Sequence, residues 1–309
     1  MSQKSSSNSQ QVKTTKTSFN LGQLDKEQNL KRKELILDIE KQLKGKVIIY
    51  FANFTHPFGI ISGEDIMLFE ETLASIGKTE RLFLIINSPG GYPDAAEKMI
   101  MLCRARCKKF YVVVPNEAKS AATMISLGAD EIWMSHISEL GPIDPIITHN
   151  QNNFQAWAYL SGFNSIKGEI IESKNPLLIQ MYLPLLNKID PTILDICLRT
   201  TYDAKKFAEK WLKKHMLKRN QKQAEKTAEI LSSADKYLTH TKVIDYKEAR
   251  RHLKLKVKYI RKETRLWKNI WELYVRAQKH ITDQNLTKMV GSSSIEIGQS
   301  VSVKKIEKS

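Results

Sequence analysis

Hydrophobic and polar positions alternate along the chain in two distinct rhythms, and both ends are almost wholly polar. Leu30, Leu35, Ile36, Ile39 and Leu43 recur at helical spacing among charges, which predicts an amphipathic helix ending near Gly45. Lys46–Ala52 (KVIIYFA) follows as a β-rich run. Residues 82–87 (LFLIIN), 110–114 (FYVVV) and Glu131–Met134 have the same near-continuous apolar character, which marks strands buried on both faces. Between them, helical spacing covers residues 64–76 behind Ser62 as a cap, then 93–106 through Ala95, Ala96, Met99, Ile100 and Cys103. A short helix at 121–127 is stopped by Gly128. Strands alternating with helices at this interval predict an α/β fold. Its parallel sheet is built of repeated βαβ units with right-handed crossovers, and the functional face lies at the C-terminal ends of the strands.

Beyond residue 150 the strand signal fades. Long helical patterns occupy 177–231 and 261–281, and residues 243–257 (VIDYKEARRHLKLKV) read as a small helix capped by Asp245 followed by a short strand. The expected organisation has four parts: a disordered polar tail over residues 1–22, the α/β core over 23–176, a basic α-rich extension over 177–285 and a second disordered tail over 286–309. No internal repeat is visible.

Charge changes this picture in one region. The chain carries a net charge of +16, and residues 204–280 hold 23 Lys or Arg against 8 Asp or Glu. Trp211, Trp267, Trp271 and Tyr274 are interleaved with those cations, a combination that could hold nucleic acid or an acidic partner through phosphate contacts and stacking. The alternative is a set of amphipathic helices with solvated lysine faces, which is favoured because Trp267, Trp271 and Tyr274 fall on one helical face. No run of apolar residues is long enough to span a membrane, and the first 30 residues lack an apolar signal core. Three cysteines, Cys103, Cys107 and Cys197, form no even disulfide framework. A cytoplasmic protein is expected, with neither a metal nor a cofactor: no G-x-G-x-x-G follows a strand and no P-loop is present.

Two segments carry candidate chemistry. Asn87-Ser88-Pro89-Gly90-Gly91 sits where a strand ends and a helix begins, so its glycines permit left-handed or closely approached backbone and its N–H groups can face developing negative charge. A plain turn would use the same residues. Ala118-Lys119-Ser120-Ala121-Ala122-Thr123 occupies the next such junction, where Ser120 is either a helix cap or a nucleophile favoured by the helix dipole. Placed on neighbouring turns of one parallel sheet, the two segments would set a serine oxygen beside the N–H groups of Gly91 and Ala121, as acyl transfer requires.

The runs LFLIINSPGG and VVVPNEAKSAATMISLGADEIWMSHISELGPIDPII resemble the serine dehydrogenase proteinase family, relatives of signal peptide peptidase A within the Clp/crotonase superfamily. The likeness covers roughly residues 30–259; it is strong over 82–147 and looser through DPTILDICLRTTYDAKKFAEKWLKKHML and TKVIDYKEARRHLKLKV. It implies a ClpP/crotonase-like core, an ATP-independent serine endopeptidase and a peptide or unfolded-protein substrate. It further implies assembly into a homo-oligomer, Ser120 as nucleophile, an oxyanion hole formed by the N–H groups of Gly91 and Ala121, and Gly90 as the residue that shapes that turn. Crotonase relatives use similar donors on acyl-CoA substrates but need no serine at the second segment, so Ser-Ala-Ala argues for a peptidase.

The base is the open question. The Clp proteolytic subunit carries a histidine where this chain has Glu139-Leu140-Gly141-Pro142, and His136 and His149 flank that stretch as surface or loop residues. Lys167 and Lys174 fall in the window where signal peptide peptidase A carries its lysine base. A lysine serves only if burial lowers its pKa, and Phe163, Ile166 and Ile170 could desolvate Lys167, whereas Lys174 lies in a polar run. Lys167 is therefore the expected partner of Ser120 in a Ser-Lys dyad. Lys119 points elsewhere from a helix start, and Asp144, between Pro142 and Pro145, is either an orienting group or a turn residue. If no base meets Ser120, the chain is an inactive ClpP-like scaffold or a binding protein working through its basic helices.

Overall fold

The two rhythms fold into one large sheet with helices on both faces. The computed structural model describes residues 21–300 apart from 174, 234–236 and 238. The chain runs through α1 (Leu21–Leu43), β1 (Lys46–Ala52), α2 (Asp65–Ile76), β2 (Thr79–Asn87), α3 (Pro93–Arg106), β3 (Cys107–Val114), β4 (Glu117–Ala118), α4 (Ala121–Leu127), β5 (Glu131–Met134) and β6 (Glu139–Leu140). A hairpin of β7 (Ile146–His149) and β8 (Asn152–Gln155) leads into α5 (Ala156–Ser173), α6 (Pro176–Leu186), α7 (Pro191–Lys214) and α8 (Gln221–Ser232). Then come β9 (Ile244–Asp245), α9 (Tyr246–Arg251), β10 (Val257–Tyr259), α10 (Arg265–Asp283), β11 (Lys288–Gly291) and β12 (Glu296–Gln299).

The main sheet has the order β10-β5-β3-β2-β1-β11-β12. Its first five strands are mutually parallel, as the alternation predicts, and β11 and β12 extend it antiparallel. Residues 82–86 of β2 are completely buried, because α2, α3 and α4 cover one face while α1 and α10 cover the other. At roughly 1.5–3 kcal/mol for each large apolar side chain, this double cover is the main favourable term in the fold.

Two expectations for the C-terminal half are corrected. From Ala208 onward the basic α-rich extension is part of the main fold: Ala208, Trp211, Leu212, Ala224, Ala228 and Leu231 share a core with β1, β2 and β3, and Trp267 and Ile270 pack on the opposite face. Polar outer faces hid that role, since α7, α8 and α10 bury narrow stripes beneath many charges. Residues 286–300 are likewise not a tail. β11 pairs with β1 in register Ala52↔Lys288, with Lys288, Met289, Val290 and Gly291 buried. Ser, Lys and Glu without periodicity made this segment read as a tail, yet Lys288 is only 2% exposed and its amine reaches Asp65 Oδ1 at 2.6 Å and Ser62 Oγ at 3.0 Å. Tyr50 Oη and Ser62 N donate to the other Asp65 oxygen, each at 2.8 Å. The proposed first tail lies outside the described residues up to position 20, and α1 begins at Leu21.

The segment from β7 to the first half of α7 stands apart from the sheet. Its own small core holds Ala156, Ile193 and Cys197. Helix α6 carries no charge and buries no residue: Leu177, Met181, Leu183 and Leu185 are all at least half exposed. Among the described residues, no helix is long and apolar enough to cross a membrane. All three cysteines are free, and Cys103 and Cys197 are buried.

Candidate active site

Backbone pairing brings the two chemistry-bearing turns together. Strand β2 ends at Asn87, whose buried Oδ1 accepts from Glu117 N at 2.9 Å. Ser88 then pairs with Ala118 as an isolated bridge: Ser88 N donates to Glu117 O and Lys119 N to Ser88 O, both at 3.0 Å. Thirty residues of sequence are thereby reduced to adjacent strands, with the Gly-Gly turn on one and Ser120 at the end of the other.

Ser120 has φ 46° and ψ −116°, a left-handed conformation rarely adopted by a residue with a side chain. Ala122 N donates to Lys119 O at 2.8 Å across it, closing a tight turn whose corner is Ser120. Its hydroxyl makes no capping bond to α4, so the cap role is not the one it plays. A strained strand-to-helix corner is how a nucleophilic serine is presented above a sheet. Such conformations cost about 1–3 kcal/mol and persist only where the surroundings hold them. Thr123 supplies part of the hold, its Oγ1 lying 2.6 Å from Ala118 O and accepting from Gly141 N at 3.0 Å.

Gly90 and Gly91 meet Ser120 and Ile61 respectively. Gly90 has φ 110°, and a Cβ there would sit 2.7 Å from Ser120 Cβ and 2.9 Å from Lys119 O, so only glycine lets the turn approach the nucleophile. Gly91 has φ 148°, and a Cβ there would lie 2.1 Å from Ile61 O. Ile61 N donates to Gly90 O at 2.7 Å and Tyr92 N to Ile61 O at 2.9 Å. Extended backbone alternates its polar groups, so the Gly91 N–H is on the edge away from Ile61. Among the described residues, neither that N–H nor that of Ala121 has an acceptor. Two unspent donors beside a strained serine are the elements of a site for a developing oxyanion.

The charged neighbours of Ser120 are engaged with one another. Lys119 lies across Gly141 and pairs with Glu139 at 2.5 Å. Glu139 faces Glu117 across the β4–β6 ladder. Burial, then repulsion from Glu139, raises the Glu117 carboxyl above the ordinary range.

Among the described residues, none of the predicted bases bonds to Ser120. Lys167 is exposed on α5, a helix that packs on α7, α6 and β8, and Phe163, Ile166 and Ile170 are themselves only half-buried. The expectation that they desolvate Lys167 within the chain is therefore corrected: their stripe faces a thin satellite layer instead of the main core. Lys174 lies outside the described residues. His136 is exposed beside Ser135 and Trp267, and His149 bonds to Asn150 in the β7–β8 hairpin. One pair was missed by sequence reading. Asp144, 2% exposed, receives His240 Nδ1 on Oδ1 at 2.8 Å, while its Oδ2 is buried without a partner. An aspartate between Pro142 and Pro145 was the visible signal, but no local pattern connects it to a histidine 96 positions away. In the basic region, Trp211 and Trp267 are buried and unavailable for stacking on a base.

Comparison with known proteins adds to this geometry. A profile of the family described as ClpP-like SDH-type serine proteinase matches residues 22–280. The chain is similar to two uncharacterized proteins of Methanocaldococcus jannaschii. With MJ1495 it is 28% identical over 190 residues, 58% of this chain and 62% of that protein. With MJ0137 it is 39% identical over 79 residues, 25% of this chain and 28% of that protein. It thus spans less than two thirds of the length of either relative. Among solved structures, it is similar to the 1510-N membrane-bound stomatin-specific protease at 17% identity and a TM-score of 0.41, over 68% of this chain and 79% of that one. A probable enoyl-CoA hydratase/isomerase from Mycobacterium abscessus is similar at 11% identity and a TM-score of 0.24, over 31% and 45% of the two chains.

Proposed function

The chain belongs to the ClpP-like SDH-type serine proteinase family, and from that premise we propose that it cleaves peptide bonds through an acyl-enzyme on Ser120. The observation that carries this reading is the corner at Ser120: a positive φ, no capping bond, and contact with a glycine turn that admits no side chain. Ser120 Oγ attacks the scissile carbonyl, and the oxygen that becomes negative is received by the N–H groups of Gly91 and Ala121. Such a donor is typically worth about 10²–10³ in rate. Gly90 sets the distance between the two turns. Extended peptides or unfolded segments suit a site at strand ends, and no ATP-binding loop is supplied by this chain.

The Ser-Lys dyad with Lys167 requires a desolvated amine, and a single copy of the chain leaves Lys167 in solvent. That dyad therefore depends on a second copy laid over α5 and α6. An uncharged helix that is apolar all round and buries nothing by itself fits burial between copies in a homo-oligomer.

The test is labelling with a fluorophosphonate probe together with hydrolysis of an unfolded protein such as casein. Wild-type protein should form one covalent adduct, located at Ser120, and Ser120→Ala should remove both the adduct and the hydrolysis. Equal labelling of the two proteins would overturn the assignment.

A further inference from the structure

Beyond the expected lysine, we propose that His240, oriented by Asp144, is the general base and acid that serves Ser120, an inference that rests on the peptidase reading above. It begins with the small sheet of order β4-β6-β9. There β4 and β6 run parallel, with Ala118 opposite Leu140, and β9 runs antiparallel, with Ile244 opposite Leu140. Ser120 follows β4 by two residues, Asp144 follows Leu140 by four, and His240 precedes Ile244 by four. Parallel and antiparallel directions combine so that all three lie beyond the same end of the strands of this sheet. The neighbours remain in contact past the strand ends, because a Cβ on Gly141 would lie 2.9 Å from Lys119 Cδ, and Gly141 N is bonded to Thr123. With strands about 4.8 Å apart, the segments that carry the nucleophile and the Asp-His pair set out from neighbouring points, and the proposal is that they converge.

The chemistry of the pair suits the task. Removing a carboxylate from water is unfavourable unless it is paired, yet Asp144 is 2% exposed, has one oxygen on His240 and leaves the other without a partner. A carboxylate kept only for stability would be expected to use both oxygens. Binding through Nδ1 fixes the tautomer in which Nδ1 carries the proton and Nε2 offers a lone pair, the arrangement that orients a catalytic imidazole. His240 is 18% exposed, so its ring is held but reachable. Within one copy of the chain the competing amines are less suited: Lys119 pairs with Glu139, and Lys167 is in solvent.

In the reaction, His240 Nε2 takes the Ser120 hydroxyl proton as Oγ bonds to the carbonyl carbon and the carbonyl electron pair moves onto oxygen at Gly91 and Ala121. When the intermediate collapses, the C–N bond breaks and His240 returns the proton to the leaving amine. Water then gives a proton to Nε2 as its oxygen attacks the acyl carbon, the C–Oγ bond breaks, and that proton passes to Ser120.

The experiment compares fluorophosphonate labelling and casein hydrolysis in full-length wild type, His240→Gln, His240→Ala, Asp144→Asn and Lys167→Ala, with circular dichroism reporting the fold. His240→Gln is expected to lose roughly 10²–10⁴ of both rates, the usual worth of general acid–base catalysis. Added imidazole is expected to restore part of the His240→Ala loss, which a purely structural histidine would not allow. Diethyl pyrocarbonate on wild-type protein should acylate His240 and block labelling, with hydroxylamine reversing both; this arm needs no folded variant. Undiminished labelling of His240→Gln, or loss in folded His240→Ala that imidazole does not relieve, overturns the proposal. Abolition by Lys167→Ala alone would return the role to the lysine. Absence of any wild-type adduct at Ser120 would instead sink the peptidase reading itself.

Discussion

Lys288→Met tests whether the last strands of the chain are held by a buried ion pair. The substitution keeps an unbranched chain of similar length but removes the amine that lies 2.6 Å from Asp65 Oδ1 and 3.0 Å from Ser62 Oγ. Asp65 is then a fully buried carboxylate with two donors left, Tyr50 Oη and Ser62 N. Breaking a buried pair from one side typically costs about 3–5 kcal/mol, and the surviving donors place this case near the lower end, at about 3 kcal/mol. For a chain of this size, with an unfolding entropy of about 2.1 cal/mol/K per residue, each kcal/mol moves Tm by about 1.5–2 °C, so a fall of roughly 5 °C is expected. Thermal unfolding followed by circular dichroism, with denaturant titration alongside, measures it. The double variant Lys288→Met/Asp65→Asn removes the stranded charge while keeping an acceptor for Tyr50, and it should recover most of the loss. A single variant that loses under about 1 kcal/mol, or a double variant that loses the sum of both singles, would refute the reasoning.

Two further outcomes follow from the site and the core. Gly90→Ala forces a Cβ to 2.7 Å from Ser120 Cβ at φ 110°, so the nucleophile is displaced; fluorophosphonate labelling should slow by on the order of 10²-fold, and an unchanged rate would show that the turn has slack. His215, stacked on Trp211, is lowered by burial and then by the Arg104 guanidinium from 6.5 to about 4. Its folded value lies below its unfolded one, so the unfolded chain binds the extra proton between them. Stability should fall as pH drops from 6.5 towards about 4 and flatten below. His215→Asn should remove that component from the pH dependence of urea unfolding, and identical profiles for the two proteins would count against it.

The parallel core was legible because its strands are apolar on both faces. Runs such as LFLIIN and FYVVV have no solvent-facing alternation, and only a doubly covered sheet can bury them. The Gly-Gly turn and Ser120 could also be found, since strand-to-helix junctions are marked locally by glycine, proline and small residues. Hydrophobic pattern failed where a polar residue is buried by a distant partner. Lys288 reads as surface until Asp65 is beside it, and residues 286–300, with Ser, Lys and Glu in no period, read as a tail instead of two strands. Lys167 was chosen on its neighbours in sequence, but desolvation depends on what covers a helix, and α5 is covered only by a thin layer.

Composition and spacing by themselves thus determined the α/β class, the positions of the parallel strands β1, β2, β3 and β5, and the two turns that carry the candidate chemistry. These are properties of nearest neighbours along the chain, encoded in short continuous apolar runs for the strands and in a period of 3.6 residues for the helices. Tertiary structure alone decided that Ser120 is a strained corner without a capping bond, that Gly90 touches it, and that Asp144 holds His240 across 96 positions. Those facts depend on strand pairing and burial between segments remote in sequence, for which the local pattern carries no signal.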